Sequence, residues 1–265
     1  MRLLDRLLTP RRSIPAGISW AAGILVAATI LGGWALVTYG GFVDTTFCPK
    51  PHDVVTAFWR TLTDGTLARH VWSSLVVINL GFVLSSVIAV PLGILMGSYR
   101  VVQSALEPVV NFIRYLPVTS MIPLLILWIG IGIEEKIAVI FIGTFFQQIV
   151  MVADTSAQVQ NELLSAAYTL GASKRQVLTR VLLPATLPGI MDTLRVTMGW
   201  AWTYLVVAEL VASNSGLGYM SMQAMRGLHA DLIFVAILVI GLLGMATDQL
   251  FRRAKALLMP WAGER

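Results

Sequence analysis

The residues with the clearest local grammar lie in one polar stretch, Asp154 to about Thr186. Asn161 is placed to cap a short helix over Glu162 to Leu170, and Gly171 ends it, because glycine takes the left-handed conformation without a side-chain penalty. Ser173 then caps a second helix, and Gln176 three residues later completes a capping box. Val177, Leu178, Val181 and Leu182 give that helix an apolar face, Lys174, Arg175 and Arg180 lie elsewhere around it, and Leu183-Pro184 close the unit. Ala166 and Ala167 beside Gly171 form a small-residue surface on which a partner can approach closely. Without a partner, the same residues make an ordinary helical hairpin lying on a membrane.

A second set of chemically capable residues sits inside apolar runs: Arg114, Gln147, Gln148, Arg195, Trp202 and Glu209. A carboxylate at bilayer depth costs about 2.5 to 3.5 kcal/mol on insertion scales, so Glu209 is expected to face protein or water. Arg114 and Arg195 are candidates to attract an oxyanion, and Arg114 alternatively reaches back to the interface. Trp200, Trp202 and Tyr204 fit packing or interfacial anchoring as well as a substrate path. No catalytic residues are assigned: no serine, histidine and carboxylate cluster or HExxH sequence is present. His52, His70 and His229 are scattered without ligand spacing, so no metal site is expected. The single cysteine, Cys48, has no partner for a disulfide within the chain.

These residues must be positioned by a membrane bundle. The chain of 265 residues is 57% hydrophobic and 12% charged, more apolar than a soluble core of this size buries. About 20 apolar residues cross the hydrocarbon core as a helix, and charge-poor runs suggest six spans, near 18–39, 72–97, 109–131, 136–153, 187–211 and 232–251. The basic start followed by the run from Ile18 is too long for a secretory signal, whose apolar region is roughly 7 to 15 residues. Segments sharing the N-terminal side carry 12 Lys and Arg, the opposite segments 5, which puts both termini in the cytoplasm. The expectation is an all-α, polytopic helical bundle in one transmembrane domain, 1–265. It has a cytoplasmic N-terminus over 1–17, a cytoplasmic loop over 154–186 and a cytoplasmic tail over 252–265.

Within the spans, Ser85, Ala89, Gly93 and Gly97 recur at every fourth residue and make one smooth stripe for a neighbouring helix. Span three is irregular. Glu107-Pro108 open it, Arg114 lies inside it, and Pro117 and Pro123 each remove a backbone donor, so a kink or break facing the bundle interior is expected. An amphipathic helix around Val54 to Leu62 is expected on the outer surface, with Val54, Val55, Phe58 and Leu62 as its apolar face. The run Ala167 to Val181 also has the outline of a helix-turn-helix. Tethered between two spans, it has no soluble domain to present it to a duplex, so no nucleic-acid partner is expected.

The full stretch Ser165 to Pro184, SAAYTLGASKRQVLTRVLLP, resembles the EAA signature of binding-protein-dependent ABC importer permeases of type I. That signature reads Glu-Ala-Ala, three residues, Gly, nine residues, Ile, one residue, Leu-Pro. Ser165 stands where the family usually has Glu, and Val181 where it has Ile. The likeness extends to Glu107-Pro108, Arg114-Tyr115-Leu116-Pro117, Ile122-Pro123-Leu124 and Trp128 to Gly132, and to Ala208-Glu209-Leu210 and Gly216 to Tyr219. These look like the nitrate, sulfonate, taurine and bicarbonate branch of that family.

The resemblance implies a permease of a bacterial inner membrane that forms the translocation path for a small anion. It implies docking to a cytoplasmic ATPase dimer through Ser165, Ala166, Ala167 and Gly171, flanked by Glu162 and Lys174. It also implies a second permease subunit, giving a homodimer, and a periplasmic or lipid-anchored substrate-binding protein. The chain has no GxxxxGK[ST] sequence, so no cofactor is expected on it; ATP and Mg are used by the partner ATPase. The rival expectation is an autonomous ion-coupled secondary transporter, which broken span three also fits.

Overall fold

The computed structural model describes residues 15–211 and 213–262. The expected cytoplasmic residues 1–14 and the last three of the 252–265 tail lie outside the described residues.

Among the described residues, five helices are long and apolar enough to cross a bilayer: α1 (Ala16–Tyr39), α3 (Thr66–Ser98), α6 (Ile133–Ala157), α8 (Lys174–Val211) and α10 (Ala230–Leu258). A bent pair, α4 (Arg100–Arg114) and α5 (Val118–Ile129), makes a sixth. Three shorter helices are α2 (Pro51–Thr63), α7 (Asn161–Thr169) and α9 (Leu217–Arg226), and all described secondary structure is helical.

The centre of the bundle is the parallel contact of α3 with α6, and the fourfold stripe on α3 makes it. A Cβ on Gly81 would meet Ile140, one on Gly93 would meet Val152, and one on Gly97 would meet the carbonyl of Ala153. The absence of side chains there lets the two backbones approach closely. Between these glycines, Ser85 and Ala89 are fully buried. α8 packs antiparallel to α6, with Tyr204 seated over Gly143 and Thr155 against Gly189. α10 closes the far side of α8 through a cluster that includes Trp202, Leu205, Ile240 and Leu243. α1 meets the bundle near its end: Thr38 is buried, and Trp34 stacks on Phe234 and donates to the Pro49 carbonyl at 3.0 Å. Most of its other side chains are exposed and apolar, which suits lipid.

Arg100, Lys174, Arg175 and Arg180, beyond the ends of α3 and α6, cluster with Arg252, Arg253 and Lys255 in the last turns of α10, which defines a basic end of the bundle. α2 and α9 lie at the opposite end.

Several expectations need correction. Span three is broken, as its prolines led one to expect, but it does not start near residue 109. α4 begins at Arg100, and the chain turns by 92° at Tyr115-Leu116-Pro117. Only Pro117 marks the break; Pro108 and Pro123 sit inside intact helices. The buried face of α2 is Val54, Ala57 and Thr61, with Val55 and Leu62 exposed, because the helix packs on α10 and leaves its other apolar side facing outward. The chain does not stop at Leu183-Pro184. A widened, π-helical turn over Val177–Leu182 carries the helix through, and Leu183 donates to the Leu178 carbonyl. That widening suits the proline, which has no amide to donate and whose ring crowds the carbonyl one turn back.

Candidate functional site

At the basic end, α6 stops at Ala157 and a finger projects between it and α8. Asn161 is the first residue of α7 rather than its cap; Gln160 holds the cap position without a side-chain bond. α7 ends as its sequence dictates. Gly171 has φ +82°, the Gly171 amide bonds the Tyr168 carbonyl at 2.9 Å, and the Ala172 amide reaches back to Ala167 at 3.0 Å. Ser173 then starts α8 with both capping-box bonds in place, Ser173 N to Gln176 Oε1 at 2.8 Å and Gln176 N to Ser173 Oγ at 3.4 Å. Two stiff turns therefore fix the direction of a nine-residue helix.

No residue of α7 is buried. Glu162 lies in its first turn, where a carboxylate complements the positive end of the helix dipole. Ser165 and Ala166 are exposed, Ala167 is half-buried, and Gly171 and Lys174 are exposed just beyond. The surface also carries Leu163, Tyr168 and Leu170, the last 88% exposed, which the sequence reading did not single out. Their signal was present: large apolar residues in a polar loop with no facing element to cover them.

A second feature lies where α4 breaks from α5. A cavity of about 220 Å³ is walled by Arg114 at the end of α4, Val118 at the start of α5, Gln147 on α6, and Trp200 and Tyr204 on α8. Arg114 lies over the Tyr115 ring, 4.8 Å from its centroid, and donates to its hydroxyl at 3.0 Å. Its Nε is buried with no acceptor among the described residues. No side chain caps α5, so the positive end of a half-helix reaches the same wall. A guanidinium beside an uncapped helix start suits an anion.

The other path candidates lie elsewhere. Gln148 is fully buried, accepting from Ser85 and donating to Ser86 and Thr197, all at 3.2 Å. Trp202 is buried between α8 and α10, its Nε1 3.3 Å from the Thr247 hydroxyl. Arg195 is ion-paired with Asp248 of α10 and lines a different cavity toward the basic end. Glu209 is buried; its carboxylate accepts the Ser74 hydroxyl at 2.7 Å and the Gly218 amide at 2.8 Å. Ser73, Ser74, His70, Ser213 and Ser215, which complete the network around it, were not anticipated.

A polytopic bundle with an exposed, rigidly angled finger and an internal broken helix belongs to the class of membrane transport permeases. The chain is a member of the family described as binding-protein-dependent transport system inner membrane component, whose signature matches residues 89–257. It is 38% identical to a probable ABC transporter permease protein of Brucella melitensis, over 90% of this chain and 96% of that one. It is 32% identical to the taurine transport system permease protein TauC of Escherichia coli, over 99% and 97%. The putative aliphatic sulfonates transport permease protein SsuC of Bacillus subtilis is 33% identical, over 91% and 88%. Among solved structures, the fold matches a chain of an alginate ABC transporter with a TM-score of 0.63 at 14% identity, covering 97% of this chain and 95% of that one. It also matches a chain of the MetNI methionine ABC transporter with a TM-score of 0.60 at 22% identity, covering 72% and 97%. The protein is a multi-pass membrane permease component of an ABC importer.

Proposed function

We propose that this permease carries a small anion of the sulfonate, taurine, nitrate or bicarbonate type inward, and that its finger docks on a separate cytoplasmic ATPase dimer. The observation that carries this reading is the finger itself. Nine residues with no buried side chain, apolar at Leu163 and Tyr168 and followed directly by the exposed Leu170, are held at a fixed angle between two spanning helices. Exposed apolar side chains grouped on one short element mark an interaction surface. A push on α7 is transmitted to α8 through the Gly171 turn and the continuous helix behind it, and the sequence carries no GxxxxGK[ST] phosphate loop.

In this reading the basic end is cytoplasmic, as an excess of Lys and Arg favours, and the membrane is the bacterial inner membrane. A second copy of the chain completes the path, and a periplasmic or lipid-anchored binding protein delivers substrate at the end carrying α2 and α9. ATP and Mg are bound by the ATPase. The anion passes the cavity at the α4 to α5 break, where Arg114 supplies positive charge and Gln147 a polar wall.

The testing experiment replaces Gly171. A Cβ there meets nothing within 4 Å, so the penalty of Gly171→Val is conformational, about 1 to 2 kcal/mol for a left-handed β-branched residue, and the bundle still folds. Uptake and transport-coupled ATP hydrolysis should collapse in Gly171→Val and largely survive in Gly171→Asn, since asparagine tolerates that conformation. Normal uptake by the valine variant would refute the docking role.

A further inference from the structure

Near the basic end, α8 and α10 enclose a cavity of about 450 Å³ that is separate from both the finger and the broken helix. Its polar side is unusually ordered. One carboxylate, Asp248, holds two guanidiniums, Arg195 through Oδ1 and Arg252 through Oδ2, the latter at 2.9 Å. Both are gripped at Nε, the nitrogen next to the stem, so the terminal amino groups of both are kept for another acceptor. Lys255 is fixed the same way, its Nζ 2.6 Å from Asp192. The three cations remain a third to a half exposed and lie within two turns of α10 and the facing turn of α8.

The position along the helix names the ligand. α10 begins at Ala230, and about 20 residues cross the hydrocarbon core, so Arg252 and Lys255 emerge at headgroup depth. On the same face of α10, Leu238, Leu242 and Met245 are all more than half exposed. With the helical repeat they form a stripe that ends at Arg252. It extends over roughly 21 Å at 1.5 Å per residue, a length that suits an acyl chain.

The geometry points to a binding site for an anionic phospholipid, its phosphate taken by the terminal amino groups of Arg195 and Arg252 and the Lys255 ammonium, its chain lying along the Leu238, Leu242 and Met245 stripe. Asp248 and Asp192 position the cations and keep them from collapsing onto other carboxylates. Basic pockets between membrane helices select anionic headgroups over zwitterionic ones because the extra net charge has nowhere else to be neutralised. The lipid lies across the ion pairs that join α8 to α10 and ties their relative tilt to the composition of that leaflet.

The test uses the full chain, purified in mild detergent, stripped of lipid and titrated with phosphatidylglycerol or phosphatidylcholine of matched chains, with bound lipid read by native mass spectrometry. Phosphatidylglycerol is expected to be retained about tenfold over phosphatidylcholine. Arg252→Gln, at an exposed position that leaves the Arg195 to Asp248 pair in place, should bring the two lipids close to parity, and Arg252→Lys should keep most of the preference. Millimolar glycerol 3-phosphate, the headgroup chemistry without the chain, should leave the lipid bound. Equal retention of both lipids, an undiminished preference in Arg252→Gln, displacement by glycerol 3-phosphate, or a dimer that retains no lipid because a second copy covers the stripe would each overturn the site.

Discussion

The carboxylate of Glu209, near the end of α8, accepts the backbone amide of Gly218 at 2.8 Å, in the first turn of α9. The same carboxylate takes the hydroxyl of Ser74 from α3, and Ser74 in turn accepts the Leu217 amide at 2.9 Å. A buried acid thus serves as the cap of a helix that has no cap of its own, and ties it to two spans at once. Close packing makes the bond possible. A Cβ on Gly216, at φ +113°, would overlap the Glu209 carboxyl, and one on Gly218 would lie 2.7 Å from Glu209 Cβ.

Replacing Glu209 with alanine therefore leaves the Gly218 amide and the Ser74 hydroxyl without their buried partner. An orphaned buried polar group costs about 1 to 3 kcal/mol. Hydrogen exchange over 216–226 should speed up markedly in Glu209→Ala, with α3 and α6 unaffected. Unchanged protection of α9 would show that the carboxylate does not hold it.

The α3 to α6 contact makes a second expectation. A Cβ on Gly93 would lie 2.7 Å from Val152 Cβ and 2.8 Å from the Ile149 carbonyl, backbone and a stiff β-branched side chain that cannot swing away. Overpacking of this kind costs about 1 to 3 kcal/mol. Gly93→Leu should lower the thermal midpoint of the detergent-purified chain well below that of Gly23→Leu, since Gly23 has nothing within 4 Å. Equal midpoints would mean the stripe is not a packing seam.

Gln148 joins three helices through Ser85, Ser86 and Thr197. Gln148→Leu removes the amide yet leaves the Ser85 and Thr197 hydroxyls buried. Polar cross-helix bonds in membranes average roughly 0.6 kcal/mol, so only a small loss of stability is expected from denaturant titration. A loss several times larger would give this cluster a structural weight that pairwise hydrogen bonding does not explain.

Arg114 and Gln147 share the cavity at the broken helix. Arg114→Gln keeps polarity and removes the charge, and it should lower the maximal uptake rate of an anionic substrate about tenfold, the factor that roughly 1.4 kcal/mol of lost stabilisation produces. Binding of that substrate to its separate binding protein should be unaffected. An unchanged rate would remove the cavity from the path.

How much of this was legible in the sequence depends on the range of the interaction. The Gly171 turn and the Ser173-Gln176 box follow from rules spanning three to five residues, and the structure has both. The spanning helices follow from bilayer thickness, a constraint each segment meets alone. The site of the break was less readable. Pro117 and Pro123 are equivalent by local chemistry, and packing of α4 on the inner parts of α3 and α6 decides between them. α9 was missed because its buried positions, Leu217, Gly218, Met220 and Ala224, include small residues and carry little apolar signal over ten residues. Glu209 with Ser74, 135 residues apart, and Gln148 with Thr197, 49 apart, are pairings that no local pattern encodes.

The most direct measurement places a single reactive thiol on the finger. Cys48 is the chain's only cysteine, so Cys48→Ser followed by Leu170→Cys puts the thiol on the most exposed apolar residue of that segment. In membranes actively importing substrate, a short cross-linker should join Leu170→Cys to the nucleotide-binding subunit, and the yield should change when ATP is bound. Efficient import with no such adduct would contradict the account.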